Sequence, residues 1–142
     1  KMRVEGYLDA LGENHIPIRE EYLTRGEFLR SPARQSAKQL LNLKDRPTAV
    51  FVASAVMALE LIDVAKKMDI KVPDDLSVIG FDDNPLAEYS SVGLTTVSQP
   101  LVEMGRLALE NLHQIALAKA ALPVKILLEA KLVERESCSR IK

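Results

Sequence analysis

Tryptophan is absent from this 142-residue chain, and aromatics make up only 4% of it. Aliphatic side chains must therefore build the core. A single cysteine, Cys138, excludes an internal disulfide and a thiolate metal cluster, and fits a reducing, cytoplasmic setting. Neither sign of charge is in excess: 19 lysines and arginines face 20 aspartates and glutamates. No basic tail or stripe marks these residues as a nucleic-acid surface. No apolar run reaches the roughly 18 residues that a membrane span needs. The opening KMRVEGYLDAL is not a signal peptide but an amphipathic helix already under way, as expected of a piece of a longer protein. Phosphate-cradling glycine loops, metal-ligand spacings and nucleophile elbows are all missing. Catalytic residues, metal and cofactor are accordingly not expected.

What is present is globular. Apolar residues reach 47% and charged residues 27%, and the length suits one ordinary domain. Val4, Tyr7, Leu8 and Leu11 recur at helical spacing over residues 2 to 13. Pro17 ends that helix by pushing Ile16 to extended geometry. The stretch EYLTRGEF reads as a short strand and loop. Ser31 and Pro32 make a helix start, and that helix runs to about Leu43 with Ala33, Ala37, Leu40 and Leu41 inward. A buried strand spans Ala49 to Ala53. Ser54 can cap the following helix, AVMALELIDVAKKM, whose apolar residues surround it and predict deep burial. Further strands are read at Ser77 to Phe81 and in LTTVSQ. Pro100 opens a helix to about Ala118 with Leu101, Met104, Ala108, Leu112 and Ile115 on one stripe. VKILLEAKLVERES reads as one long final strand. Alternation of this kind predicts an α/β fold, a doubly wound, mostly parallel sheet with helices on both faces.

The tips of these strands carry the functional signal. In open parallel sheets, ligands bind beyond the carboxyl ends of the strands. The run VIGF ends on two carboxylates, Asp82 and Asp83. A carboxylate there can accept hydrogen bonds from two hydroxyls of one polyol, and such bonds are charge-assisted. The plainer reading is a turn, since Asp, Asn and Pro in DDNP are ordinary turn formers. Likewise Ser54 alone reads as a helix cap, Arg3 as a solvated charge and Phe28 as core. His15 and His113 have no partner pattern and read as surface or packing residues.

The long string VPDDLSVIGFDDNPLAEYSSVGLTTVSQPLVEMGRLALENL strongly resembles the ligand-sensing domain of the lactose-repressor/galactose-repressor family of bacterial transcription regulators. RPTAVFVASAVMALELIDVAKKMDIK extends the match upstream, MRVEGYLDAL fits its opening helix and LVERES its terminal strand. The resemblance implies a periplasmic-binding-protein-like core of two lobes with an effector between them. By that similarity residues 1–98 belong to the C-terminal lobe, residues 99–128 return to the N-terminal lobe, and residues 129–142 cross back. It also implies that the headpiece, the bulk of the N-terminal lobe and the first strand of the C-terminal lobe lie outside this chain. Carried over by position, Arg3 falls on an arginine that holds an effector oxygen and Asp82 on the acidic ligand residue. Phe28 falls where an aromatic stacks on the ligand, and Gln99 on the lobe crossover. Family members commonly carry Asn-Asp after the VFVA strand, whereas Ser54-Ala55 stands here. That departure would cost roughly 1.5–3 kcal/mol, a tenfold to hundredfold change in affinity, for one lost charge-assisted bond.

The resemblance implies a cytoplasmic repressor that binds a small hydroxylated effector, a sugar or sugar derivative. It implies a homodimer that reads operator DNA through a headpiece, with no membrane partner. Dimer contact is expected at the helix after Ser54 and at the loop from Leu86 to Tyr89. The rival reading is a periplasmic sugar-binding protein of a transport system, which shares fold and cleft. An enzyme on the same fold is a third and weaker reading.

Overall fold

Four strands lie side by side in the computed structural model, which describes residues 2–88, 90–118 and 125–140. In chain order they are β1 (Ala49–Phe51), β2 (Ser77–Phe81), β3 (Thr95–Ser98) and β4 (Lys131–Val133), and this is also their order in the sheet. The first two junctions are parallel and the last is antiparallel. Helices α1 (Met2–Glu13), α2 (Arg30–Leu41), α3 (Ala55–Lys67), α4 (Pro85–Glu88) and α5 (Leu101–Ala118) complete the described elements. The mostly parallel α/β arrangement is the one the alternation predicts.

Both faces of the sheet carry helices. On one, a Cβ added at Gly80 would meet Leu94 at 3.0 Å and Ala58 at 3.5 Å, so glycine lets α3 close onto β2. Leu76, Val78 and Leu94 are wholly buried beneath it. Ala33, Ala37, Leu40 and Leu41 of α2 pack inward as their spacing predicts. On the other face, Tyr7 of α1 stacks on Phe51 with centroids 6.5 Å apart, and Phe51 meets Phe81 edge-on, also at 6.5 Å.

α3 is buried round most of its circumference, and that burial includes one charge. Glu60 is 4% exposed, yet its carboxylate accepts from Arg30 Nε at 2.7 Å and from Arg34 Nη2 at 2.6 Å. Burial by itself pushes the Glu60 carboxyl up. The bonds from Arg34 and then Arg30 outweigh that and hold it below the ordinary range.

The chain after β4 straps the sheet. Ser137 is fully buried; its hydroxyl donates to the Val78 carbonyl at 2.6 Å and accepts the Thr95 N–H at 2.8 Å. It fills the gap where β2 and β3 have not yet begun to pair, since their ladder starts at Ile79 opposite Thr95. Arg135 Nη1 donates to Asp83 at 2.8 Å and to the Leu94 carbonyl at 2.9 Å. The arginine beside Asp83 holds that carboxyl below its usual range, against the smaller upward push of burial.

Several expectations are corrected. The long last strand shrinks to Lys131–Val133, because β3 offers partners only from Thr96 to Ser98. Residues 125–130 form no strand, and Val124 lies outside the described residues. The strand read in EYLTRGEF is absent. A 3-10 turn, Glu20–Tyr22, stands at its start, and Glu27 and Phe28 take φ of 52° and 57°, which extended geometry forbids. α2 begins at Arg30 with Leu29 at its N-cap, so Ser31 lies inside the helix and Pro32 in its first turn. The early start seats Arg30 against Glu60. The strand expected to reach Ala53 stops at Phe51. Ser54 does sit at the N-cap of α3, but no side-chain hydrogen bond caps the helix from it. α4 was not read from the sequence, though Asn84 before Pro85 is the same kind of start signal; Asn84 Oδ1 accepts the Leu86 N–H at 3.0 Å.

The stripe of α5 is bare among the described residues: Leu101, Met104, Leu112 and Ile115 are 61%, 42%, 62% and 41% exposed. The isolated 142-residue chain is therefore expected to self-associate, and Leu101→Lys with Leu112→Lys to reverse this, in sedimentation velocity. Ser137→Ala orphans the Thr95 N–H and should cost about 1–3 kcal/mol in urea unfolding. Glu60 and Asp83 both have lowered folded values. They contribute stability above their ordinary 4.5 and 3.8 and lose it as pH falls through the lower folded values. The urea midpoint should drop on acidification from about pH 5 to about pH 3, and a Glu60→Gln, Asp83→Asn variant should start lower and slope less.

Candidate functional site

β2 ends at Phe81, and the next residue turns sharply. Asp82 has φ 72°, a left-handed conformation that costs a non-glycine residue energy. Its N–H still bonds the Val97 carbonyl at 3.0 Å, so the kink sits on the sheet's end and not in free loop. The kink sends the two neighbouring carboxylates to different places. Asp83 is taken up by Arg135 and by the Thr96 hydroxyl at 3.1 Å, and only 21% of its side chain is exposed. Asp82 is left 40% exposed. Of the two candidates, Asp82 faces solvent and Asp83 serves the fold.

Three further side chains meet Asp82 or its neighbours. Gln99, one residue past the end of β3, donates Nε2 to Asp82 Oδ1 at 2.5 Å. Arg3, in the first turn of α1, brings Nη2 to 3.6 Å from the same oxygen, and its Nη1 donates to the Ala53 carbonyl. The Arg3 guanidinium lies 3.8 Å from the Phe81 ring centroid and 6.0 Å from that of Phe28. Phe28 is 62% exposed, so the core reading of it fails, and its φ of 57° is the second left-handed residue at this spot. Ser54 follows Ala53 directly in the chain. Ala55 is 1% exposed and packed in the core, so it offers nothing to a ligand.

Four residues predicted from the sequence thus converge: Arg3, Phe28, Asp82 and Gln99, with Ser54 adjoining through Ala53. The sequence reading missed Phe81, although it lies two residues beyond Ile79 and hence on the face that Phe51 shares. It also missed the Ala53 carbonyl, for which no side-chain signal exists. Chemically the corner offers an anionic acceptor, an amide, a cation and an exposed ring. Arg3 and Asp82 are both partly solvated, so their mutual attraction is weak and each stays free to bond something else.

A cavity between two helices lies elsewhere. It holds about 420 Å³ between α1 and α2 along the edge of β1, lined by Val4, Tyr7, Leu40, Val50 and Phe51 among others. Arg3, Phe28, Asp82 and Gln99 do not line it. Its lining includes polar groups, but the Ser36 and Tyr22 hydroxyls are already bonded to the Arg25 and Asp45 carbonyls, so the charged corner is the better candidate site. Among the described residues no His, Cys, Asp or Glu group could hold a metal ion, and no helix is long and apolar enough to cross a membrane.

Comparison with known proteins identifies the fold and family. The family described as "Periplasmic binding protein-like domain" matches residues 1–138. The "HTH-type transcriptional repressor PurR" of Yersinia pestis (strain Pestoides F) is 40% identical over 135 residues, 95% of this chain and 40% of that protein. The chain therefore spans well under half the length of this curated relative. Among solved structures, the transcriptional regulator CelR in complex with cellobiose superposes with TM-score 0.90 at 32% identity, covering 95% of this chain and 41% of that one. A LacI family regulator from Lactobacillus casei with bound sucrose gives TM-score 0.79 at 30% identity, over 96% of this chain and 50% of that one. These relatives are transcriptional regulators and not enzymes. With nearly the whole chain matched in sequence and in fold, it belongs to the periplasmic binding protein-like family, and it is similar to part of the ligand-binding domain of lactose-repressor type regulators.

Proposed function

We propose that this chain is the effector-sensing part of a cytoplasmic, homodimeric transcriptional repressor whose ligand is a small hydroxylated molecule of the sugar class. The observation that carries this reading is the meeting of Arg3, Phe28, Asp82 and Gln99 beyond the carboxyl ends of β2 and β3. Asp82 accepts two hydroxyl protons, Gln99 supplies an amide, Arg3 donates to a ring or hydroxyl oxygen, and Phe28 covers the apolar face of a sugar ring. The bound cellobiose and sucrose of the related regulators are ligands of this chemistry.

Residues 1–98 form the C-terminal lobe, residues 99–128 reach into an N-terminal lobe, and residues 129–142 cross back. The bare stripe of α5 supports the second of these assignments, since it needs a surface that the described residues do not supply. Effector bound between the lobes favours one lobe angle over another, and in a dimer that difference alters the affinity of a headpiece for operator DNA. Ligand and DNA are thereby coupled in both directions. The face of α3 and the segment from Leu86, which is 60% exposed on α4 and not in the loop expected there, supply dimer contact; Tyr89 at the end of that segment lies outside the described residues. A transporter's periplasmic sugar-binding protein would use the same corner, but the relatives are regulators.

Calorimetry of the intact protein against glucose, sucrose and cellobiose tests the site. Asp82→Ala and Arg3→Gln should each weaken binding about tenfold to hundredfold, the range for a lost charge-assisted hydrogen bond. Asp83→Asn should lower thermal stability and leave affinity nearly unchanged. An Asp82→Ala protein that binds as tightly as the parent would remove Asp82, and with it this reading, from consideration.

A further inference from the structure

The chain has only three phenylalanines, Phe28, Phe51 and Phe81, and all three join one cluster that ends on Arg3. Arg3 and Tyr7 stand one turn apart on α1. Tyr7 stacks on Phe51 at an interplanar angle of 10°, Phe51 meets Phe81 edge-on at 84°, and the Phe81 ring lies 3.8 Å below the Arg3 guanidinium. The cluster thus leaves α1, crosses the ends of β1 and β2, and returns to α1.

Asp82 does not hold the guanidinium plane. At 3.6 Å from Nη2 it is beyond hydrogen-bond distance, and the pair is neither bidentate nor buried. Phe28, at 6.0 Å, sits at the limit of cation–π reach. Two contacts remain close: the Phe81 face and the Ala53 carbonyl. A ring stacked on a guanidinium takes none of its N–H donors, because all five lie in the guanidinium's own plane. Stacking therefore fixes that plane while leaving donors for another molecule. The two rings divide the work by exposure: Phe28 is 62% exposed, whereas Phe81 is half-buried and braced by Phe51.

We propose that Phe81 is a positioning residue of the effector site, its ring face holding Arg3 in the orientation in which it meets a ligand. An unstacked arginine must surrender the rotamer freedom of a long side chain on binding; a stacked one has already done so. The consequence for affinity rests on the effector reading above, but the consequence for Arg3 order does not.

Nitrogen-15 relaxation of arginine Nε–H groups in the intact, effector-free protein, with the Arg3 signal assigned by its loss in Arg3→Lys, measures the order directly. The parent and Phe81→Tyr should show a rigid Arg3, and Phe81→Leu an Arg3 as mobile as a free surface arginine. Equal order in Phe81→Leu overturns the proposal, whatever any sugar does. With glucose, sucrose and cellobiose as probes, Phe81→Leu should weaken the binding seen in the parent about three- to thirtyfold, and Phe81→Tyr should restore it. In an Arg3→Gln background Phe81→Leu should add little. A full additional loss there would mean that Phe81 acts through packing and not through Arg3, and would also overturn it. If none of the three sugars binds the parent, the effector reading fails while the relaxation result still decides the role of Phe81.

Discussion

The capture of Asp83 by Arg135 and Thr96 decides where the neighbouring carboxylate goes. Two adjacent anions at a strand tip repel one another, and extended backbone would already put them on opposite sides. The left-handed turn at Asp82 goes further, lifting one carboxylate clear of the sheet while the Asp82 N–H remains bonded to Val97. Such a strained residue persists only where its surroundings determine it. Here they do: Asp83 is anchored on one side, and Gln99 and Arg3 draw Asp82 on the other. The charged corner and the core thus share one backbone turn, and Arg135, fifty-two positions along the chain, holds it from below.

The same division between buried and exposed charge recurs in α3. Glu60 lies inside the helix pair and would be costly there alone, but two arginines reach it from α2 with their solvent side still wet. Hence α2 and α3 are held by apolar packing at Ala37 and Leu41 and by a polar clamp in which Arg34 also reaches Asp63 at 3.0 Å. A pair of helices that could slide on an aliphatic seam is fixed in register by two carboxylates one turn apart.

The sequence made the strands at Ala49 and Ser77, the helices at Met2, Ala55 and Leu101, and the inward face of α2 legible, because each rests on a long period or a proline start. It misled where local hydrogen bonding prevailed. The run from Glu20 to Phe28 has strand-like composition, but two left-handed residues and a 3-10 turn settle it otherwise. The alternating run after Pro123 lacks a partner strand beyond Ser98, and alternation without a partner makes no ladder. The site was legible through resemblance and not through propensity. Arg3, Phe28 and Gln99 are far apart in the chain, and nothing local marks them as neighbours. Phe81 escaped notice because an apolar residue at the end of a core strand is read as core, which half of its ring is.

The buried hydroxyl of Ser137 has a bearing on biosynthesis. Its two partners, Thr95 and Val78, precede it by 42 and 59 positions. Until the ribosome has released that serine, the start of β2 and the start of β3 lack its stitch between them. Contacts of such long span form late and leave oily surface bare in the meantime. Closure of the β2–β3 junction therefore waits on a residue far along the chain.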